Sequence, residues 1–455
     1  MSVRTGKKLK YESAAGKAAS RPFAYRGTKL CCDQVPLDTL ATEYGTPLYV
    51  YSASQIRERF QLFQQAFATR PATICYAIKA NSSLAILRLL AELGAGFDIV
   101  SGGELERVRR ADKSALKRVV FSGVGKQVWE IDAALKAGIL LFNVESEAEL
   151  ALLAQRAEAL GKRARFALRV NPDVFADTHP YISTGLREHK FGVDIARAEE
   201  IYTWAASMPG IAVEGVSCHI GSQLLTIAPV LEAADKVLAL VQRLRANGLP
   251  IKNLDLGGGL GVPYHAGEKG VSIGEFIQRL RPKLESLNLA VMLEPGRSIV
   301  AEAGVLLSQV LLVKKNGDKT FVILDAAMND LSRPALYQAY HEILPLKQGP
   351  DHERMKADIV GPVCETGDFF ARDRDLAVLK EGDLVAIKTA GAYGFVLSSN
   401  YNSRPRACEL LVDGSRIHVA RERETYADLI RGEGVVVDTD REHDRDACDI
   451  CTGPA

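Results

Sequence analysis

Lys79 stands where a side chain can do chemistry. Ile74-Cys75-Tyr76-Ala77-Ile78 is a short apolar run that reads as a buried strand, and Ser82-Ser83 followed by Leu84, Leu87, Leu90 and Leu93 reads as a helix starting just behind it. The lysine therefore falls at a strand's C-terminal end. An amine there can form a Schiff base with a carbonyl cofactor if a water-poor setting makes it nucleophilic, or it can be a surface residue whose stem covers apolar neighbours. Glu294 has the group a pyridine ring needs, since a carboxylate at the ring nitrogen keeps that nitrogen protonated and the ring a better electron sink; the alternative is a solvated pair with Arg297. His219 can lie over an aromatic ring or be a satisfied core histidine. Gly257-Gly258-Gly259 can offer backbone N–H groups to an anion or simply make a tight turn, and its spacing is not that of a dinucleotide site. Cys364, beside Glu365, can be a proton donor or an inert thiol.

These residues need elements that gather them. From about Pro71 to Gly304 the chain repeats an apolar strand, a loop and an amphipathic helix. The strands read as Thr73–Ile78, Phe97–Val100, Val119–Ser122, Leu140–Asn143, Arg165–Val170, Val213–His219, Lys252–Leu256 and Val291–Leu293. The clearest helix is Glu147–Leu160, with Leu150, Leu153, Ala157 and Leu160 on one stripe and Gly161 as its stop. Eight strands alternating with helices over about 230 residues predict an α/β fold, a (β/α)8 barrel of the TIM type, with an open doubly wound sheet as the alternative. In a barrel the strand ends converge on one face. That face would carry Lys79, Asp98 with Ser101-Gly102-Gly103-Glu104, Asn143, Arg169, His219-Ile220-Gly221-Ser222-Gln223, the run Gly257 to Gly261, and Glu294-Pro295-Gly296-Arg297. The loops after strands seven and eight are the usual phosphate seat.

After Gly304 the helical rhythm fades. Val305–Val313, Thr320–Leu324, Leu384–Lys388 and Cys408–Val412 read as strands of a C-terminal all-β, sandwich-like domain, to which Leu30–Val35 and Pro47–Tyr51 can add. The expected organisation is a disordered leader over 1–26, a segment 27–52 contributing to the β domain, a barrel over 53–304, the β domain over 305–435 and a polar tail over 436–455.

At 455 residues and 47% hydrophobic the chain can bury two cores, and a net charge of +1 argues for neither nucleic acid nor anionic membrane as partner. No apolar run approaches the ~18 residues of a transmembrane helix, and the basic N-terminal segment lacks a secretory apolar region. Eight cysteines, several inside apolar strands, suit a reduced cytoplasmic protein. Cys448-Asp449-Ile450-Cys451 is half of a zinc or redox motif with nothing to complete it, so no metal is expected.

Tyr76-Ala77-Ile78-Lys79-Ala80-Asn81, His179-Pro180-Tyr181-Ile182-Ser183-Thr184-Gly185 leading to Lys190-Phe191-Gly192, His219-Ile220-Gly221-Ser222-Gln223, Gly257-Gly258-Gly259, Glu294-Pro295-Gly296-Arg297, Cys364-Glu365-Thr366-Gly367-Asp368 and Gly391-Ala392-Tyr393-Gly394 together resemble the diaminopimelate decarboxylases. Those are fold-type III pyridoxal-phosphate enzymes. The likeness runs from about Phe23 to about Asp428, with Thr366 where the family pattern has serine.

By this resemblance Lys79 forms the internal aldimine, His219 stacks on the pyridoxal 5'-phosphate ring and Glu294 contacts its nitrogen. Asp98 and Arg169 line the cofactor site. Ser222, the glycines Gly257, Gly258 and Gly259, the loop Glu294, Pro295, Gly296 and Arg297, and Tyr393 hold the phosphate. Arg297, Arg333, Tyr337, Glu365 and Tyr393 bind substrate, and Cys364 donates a proton, Cys364 and Glu365 reaching across a homodimer into shared active sites. The implied reaction is decarboxylation of meso-2,6-diaminopimelate to L-lysine through a quinonoid. The alternatives are a related decarboxylase for ornithine, arginine, lysine or carboxynorspermidine, or a decarboxylase-like binding protein without catalysis.

Overall fold

The computed structural model describes residues 22–67, 72–175, 190–285, 287–348 and 353–434. Eight parallel strands, Ala72–Ala77, Gly96–Ile99, Val119–Phe121, Leu141–Val144, Ala164–Asn171, Ile211–Ser217, Asn253–Asp255 and Ala290–Leu293, pair each with the next. The last returns to the first, Val291 opposite Ala72 and Leu293 opposite Ile74, so the sheet closes and the open-sheet alternative falls. All eight strands expected from the sequence are present, with ends displaced by one or two residues.

The strands are apolar on both sides because helices cover the outside while side chains fill the inside. Cys75, Val120, Leu141, Ala167 and Met292, from five of the strands, form a buried cluster of their own that we assign to the barrel floor. Outside, Glu147–Ala159 buries Leu150, Leu153, Ala154 and Ala157. Its N-terminal cap is Ser146, whose hydroxyl accepts from the Glu149 amide at 3.2 Å, and Ser101 caps the helix Gly102–Ala111 in the same way through Glu104.

The second unit is a mixed sheet built around the long strand Gly304–Asn316. It pairs with Lys319–Leu324 across the expected turn, with Leu384–Ile387, and with Leu48–Ser52 from the N-terminal part of the chain. Leu48–Ser52 in turn lies parallel to Cys408–Asp413, so it sits inside the sheet. Leu30–Val35 stays outside this sheet but packs onto it, the Leu30 amide donating to the Leu346 carbonyl at 2.9 Å. Phe23–Arg26, Lys29–Cys32 and Val35–Pro36 form a small antiparallel sheet of their own, because the turn at Asp33, whose φ is 51°, folds the chain back on itself. Phe23, Leu30, Cys32 and Leu37 pack it against Leu48, Val50, Val305 and Leu307. Phe23–Arg26, taken from sequence as the end of a leader, is therefore a strand with an apolar face to bury. Residues 1–21, the His179 to Gly185 motif and the Cys448 and Cys451 pair lie outside the described residues.

The two units meet tightly. Gly391 N–H donates to the Ala301 carbonyl at 3.1 Å, Asn81 Nδ2 to the Gly391 carbonyl at 3.0 Å, and Tyr393 N–H to the Ala80 carbonyl at 2.8 Å. The β unit thus holds the turn that carries Lys79. A Cβ on Gly391 would stand 1.9 Å from the Val300 carbonyl oxygen, a backbone atom with no room to retreat. Gly391→Ala is expected to cost roughly 3 kcal/mol of unfolding free energy, read as a lower urea midpoint, whereas the same change at the open turn residue Gly317 costs less.

Candidate active site

Strand alternation decides what lies above the barrel floor. Two residues beyond Val120, Leu141, Ala167 and Met292, on the same side, come Ser122, Asn143, Arg169 and Glu294; Asp98 stands likewise two beyond Gly96. Five of the strands thus change from apolar or glycine to polar at one height.

The acidic part of this layer surrounds one amine. Lys79 Nζ donates to Asp98 Oδ2, with Asp98 wholly buried and the lysine side chain 38% exposed to the barrel mouth. Burial favours a neutral amine at Lys79, but the carboxylates of Asp98 and Glu294 outweigh it and raise the lysine above its ordinary pKa. The free amine is therefore an ammonium, which corrects the sequence-based view that desolvation would activate it. Beneath it lie Glu294 and Asp255, both raised by burial; the charges of Asp255 and Asp98 push Glu294 further, well above the usual carboxylate range, while hydrogen bonds with Glu294, Asn143 and the Gly257 amide restrain Asp255. Asn143 Nδ2 bridges them, donating to Asp255 Oδ2 at 2.8 Å and Glu294 Oε1 at 3.4 Å, while the Gly257 amide donates to Asp255 Oδ1 at 2.9 Å. Two buried carboxyls this close share a proton.

A glycine loop closes the next side. Gly257 has φ of 65° and Gly259 of 110°, a region that favours glycine. A Cβ on Gly258 would come within 2.2 Å of the Glu294 carbonyl oxygen. The Gly258 amide donates to His219 Nδ1 at 3.2 Å, so that nitrogen carries no proton and the neutral ring has its proton on Nε2. Burial first, then the nearby Arg169 charge, keeps His219 neutral by pushing its pKa well down. Arg169 itself pairs with buried Glu145 at 3.2 Å and lies over the Phe191 ring.

Opposite the carboxylates is a basic corner. Arg297, 7% exposed, donates to Tyr264 Oη at 2.7 Å and Ser222 Oγ at 3.1 Å and lies over the Tyr393 ring at 4.8 Å. Arg333, 6% exposed, begins the short helix Arg333–Tyr337 and stacks on Tyr264 at 4.4 Å. Tyr337, four residues on, shares its face. Among the described residues no carboxylate lies within 4.0 Å of either guanidinium, whereas Arg169, the other buried arginine described, has Glu145. Pro295 accepts from the Ala77 amide at 3.1 Å, and Gly296 passes so near Ala80 that a Cβ would be 2.8 Å away.

Cys364 and Glu365 are exposed, on a turn braced by Asp368, whose carboxylate accepts from the Met328 and Val363 amides at 2.7 and 2.8 Å. The Cys364 amide donates to Asn402 Oδ1 at 2.9 Å.

Residues 53–301 match the family model for the pyridoxal-dependent decarboxylase, pyridoxal binding domain. Over 91% of its length the chain is 52% identical to the diaminopimelate decarboxylase of Pseudomonas fluorescens, covering 99% of that protein. The chain belongs to the diaminopimelate decarboxylase family. Diaminopimelate decarboxylases solved as complexes with L-lysine share its fold: that of Helicobacter pylori has a TM-score of 0.83 at 45% identity, covering 87% of this chain and 98% of that one. That of M. jannaschii has a TM-score of 0.86 at 39% identity, covering 91% and 98%. A lysine/ornithine decarboxylase from Vibrio vulnificus, at 24% identity and a TM-score of 0.73, shows the common fold alone.

The residues of this diaminopimelate decarboxylase family member fit its cofactor. Gly258 lets the backbone pass against the Glu294 carbonyl where no side chain fits, Asp98 Oδ1 and Ser298 Oγ are buried without a hydrogen-bond partner among the described residues, and Lys79 lies against the carboxyls of Asp98 and Glu294. Sequence reading missed Asp255 and Ser122 and gave Asn143 no task. The signal was there in parity: Asp255 ends its strand two residues before the glycine run.

Because burial raises Glu294, the folded protein keeps a proton there that the unfolded chain loses near the ordinary value of ~4.3, so stability falls as pH rises beyond it. Glu294→Gln removes that loss. The melting temperature of the cofactor-free variant is expected to gain on the parent steadily from pH 5 to pH 9, while decarboxylation falls about a hundredfold. A margin that shrinks with pH would mean Glu294 is ionised in the folded protein.

Proposed function

We infer that the chain catalyses the pyridoxal-phosphate-dependent decarboxylation of meso-2,6-diaminopimelate to L-lysine and CO2. The observation that carries this reading is the pair Arg297 and Arg333, buried together with no carboxylate partner among the described residues. Two guanidiniums so placed are costly unless an anion joins them. A substrate with a carboxylate at its far end supplies that anion, and planar forks hold it bidentately. Ornithine and lysine, held as substrates through the α-amine, have no second carboxylate at the far end, which ranks their decarboxylases second.

Each residue's task follows from its surroundings. Lys79 anchors the cofactor through Nζ, and Asp98 takes up the charge that the amine must give away. His219, neutral and fixed by Gly258, offers a flat face. Glu294 holds a proton at the place of the ring nitrogen, kept there by burial and by the charges of Asp255 and Asp98, while Asn143 orients it. Pyridoxal phosphate, when bound, withdraws the electrons that the departing carboxylate leaves behind. The glycine loop, Ser222 and Tyr393 support its phosphate, Arg297, Arg333 and Tyr337 hold the distal end of the substrate, and the buried walls exclude water. Cys364 returns a proton to the substrate carbon.

For Cys364 and Glu365 we propose a homodimer with shared sites. An exposed thiol and carboxylate on a stiffly braced turn suit the mouth of a second copy. No described helix is long and apolar enough to cross a membrane. We place the protein in the cytoplasm, a reading supported by the six cysteines among the described residues, all free and five of them buried.

The purified protein should show a visible cofactor band and form lysine from meso-diaminopimelate; Lys79→Ala should lose both. A band without lysine would move the substrate to ornithine or its relatives, and no band after supplying pyridoxal phosphate would remove the enzymatic reading. Mixing Lys79→Ala with Cys364→Ala subunits should restore activity that neither has alone. A monomer by light scattering, or no restoration, would refute shared sites.

A further inference from the structure

His341 is wholly buried, eight residues beyond Arg333, and its two ring nitrogens have unlike neighbours. Nδ1 lies 2.8 Å from the Lys388 carbonyl oxygen, which can only accept, so Nδ1 carries the proton. Nε2 lies 3.0 Å from Arg333 Nη1, which can only donate, so Nε2 accepts. The ring is a neutral, single tautomer.

Tyr264, from the loop after the glycine run, links the same groups. Its ring stacks on Arg333 at 4.4 Å, its hydroxyl accepts from Arg297 at 2.7 Å, and His341 meets it edge-on at 5.4 Å. An unbroken series therefore runs from the Lys388 carbonyl through His341, Arg333, Tyr264 and Arg297 to Ser222. Two like charges held on one ring repel, and among the described residues neither has a carboxylate to steady it. Something must aim them.

We propose that Tyr264 and His341 are positioning residues that aim the Arg297 and Arg333 guanidiniums at the distal carboxylate of the substrate. The proposal rests on the reading of Arg297 and Arg333 given above. Burial, then the charge of Arg333, pushes the His341 pKa down to about 3 despite the Lys388 carbonyl, with Arg297 and Arg374 acting in the same direction. The ring therefore remains an acceptor throughout the working range, and this part of binding has no histidine titration.

The test uses the holoenzyme. His341→Asn keeps a donor for Lys388 but removes the acceptor for Arg333; His341→Gln places an amide oxygen near the lost nitrogen. His341→Asn should raise KM for meso-diaminopimelate about tenfold, the worth of one hydrogen bond to a charged group, with a much smaller change in kcat. His341→Gln should recover most of it. Inhibition by L-lysine, which keeps the distal carboxylate, should weaken in step with KM, and inhibition by cadaverine, which lacks it, should not change. Tyr264→Phe, which removes only the hydroxyl, should repeat the pattern and decides the matter if the histidine variants do not fold. Parental KM and L-lysine inhibition in these folded variants, or equal weakening toward cadaverine, would overturn the proposal while leaving the enzyme's function intact. Failure of the parent protein to decarboxylate meso-diaminopimelate would overturn both.

Discussion

Everything at the barrel mouth depends on charge that has been taken out of water and sorted by sign. On one side Asp98, Asp255 and Glu294 surround a single ammonium, and on the other Arg297 and Arg333 have no counter-charge among the described residues. Neither side is stable as an arbitrary arrangement, since a buried ion costs several kcal/mol unless paired or neutralised. The acidic side meets that cost by keeping protons on its carboxyls and by the lysine. The basic side meets it with aromatic faces, Tyr264 and Tyr393, and with an anion when ligand binds.

The fold serves this sorting through parity. A floor of Cys75, Val120, Leu141, Ala167 and Met292 is followed on the same side by Ser122, Asn143, Arg169 and Glu294 on four of the five strands, while the strand of Cys75 reaches its polar residue, Lys79, one turn later. Two separate lengths of chain then lock the mouth: Asn81 and Ala80 bond to Gly391 and Tyr393, while Arg333 and His341 come from the β unit to meet Tyr264 of the barrel. The site is thus a seam, not a pit in one domain.

Most of the barrel was readable from sequence, because each strand is apolar, short and followed by a helix with a strong stripe. The site residues with distinctive loops, Lys79, His219, the glycines and Glu294, were readable for the same reason. Asp255 was not. One carboxylate at a strand end resembles any other until its neighbour across the barrel, Glu294, is known to share its proton. His341 and Tyr264 were hidden more deeply, since a lone histidine and a lone tyrosine acquire a task only through contacts made between the two units. The small sheet of Phe23–Arg26 was missed because its first strand follows a basic segment with no periodicity of its own, and its burial depends on Leu346 and its neighbours far along the chain. Sequence placed Asp98 on the same face as Lys79, but the contact between them, which outweighs desolvation at the amine, is a matter of side-chain geometry that local pattern does not give.

The strand Leu48–Ser52 gives the molecule a property that neither unit has alone. It lies between Gly304–Asn316 and Cys408–Asp413, yet the helix that begins at Ala53 already belongs to the wall around the barrel. The chain therefore passes from one unit to the other and back, and no single cut separates them into whole pieces. A fragment starting at the barrel would leave the later sheet split down its middle, with two unpaired edges facing water and ready to join other chains. Heredity of the two units is consequently joint: they can be exchanged between relatives only as a nested pair, with the chain up to Ser52 travelling with the chain from Gly304 onward.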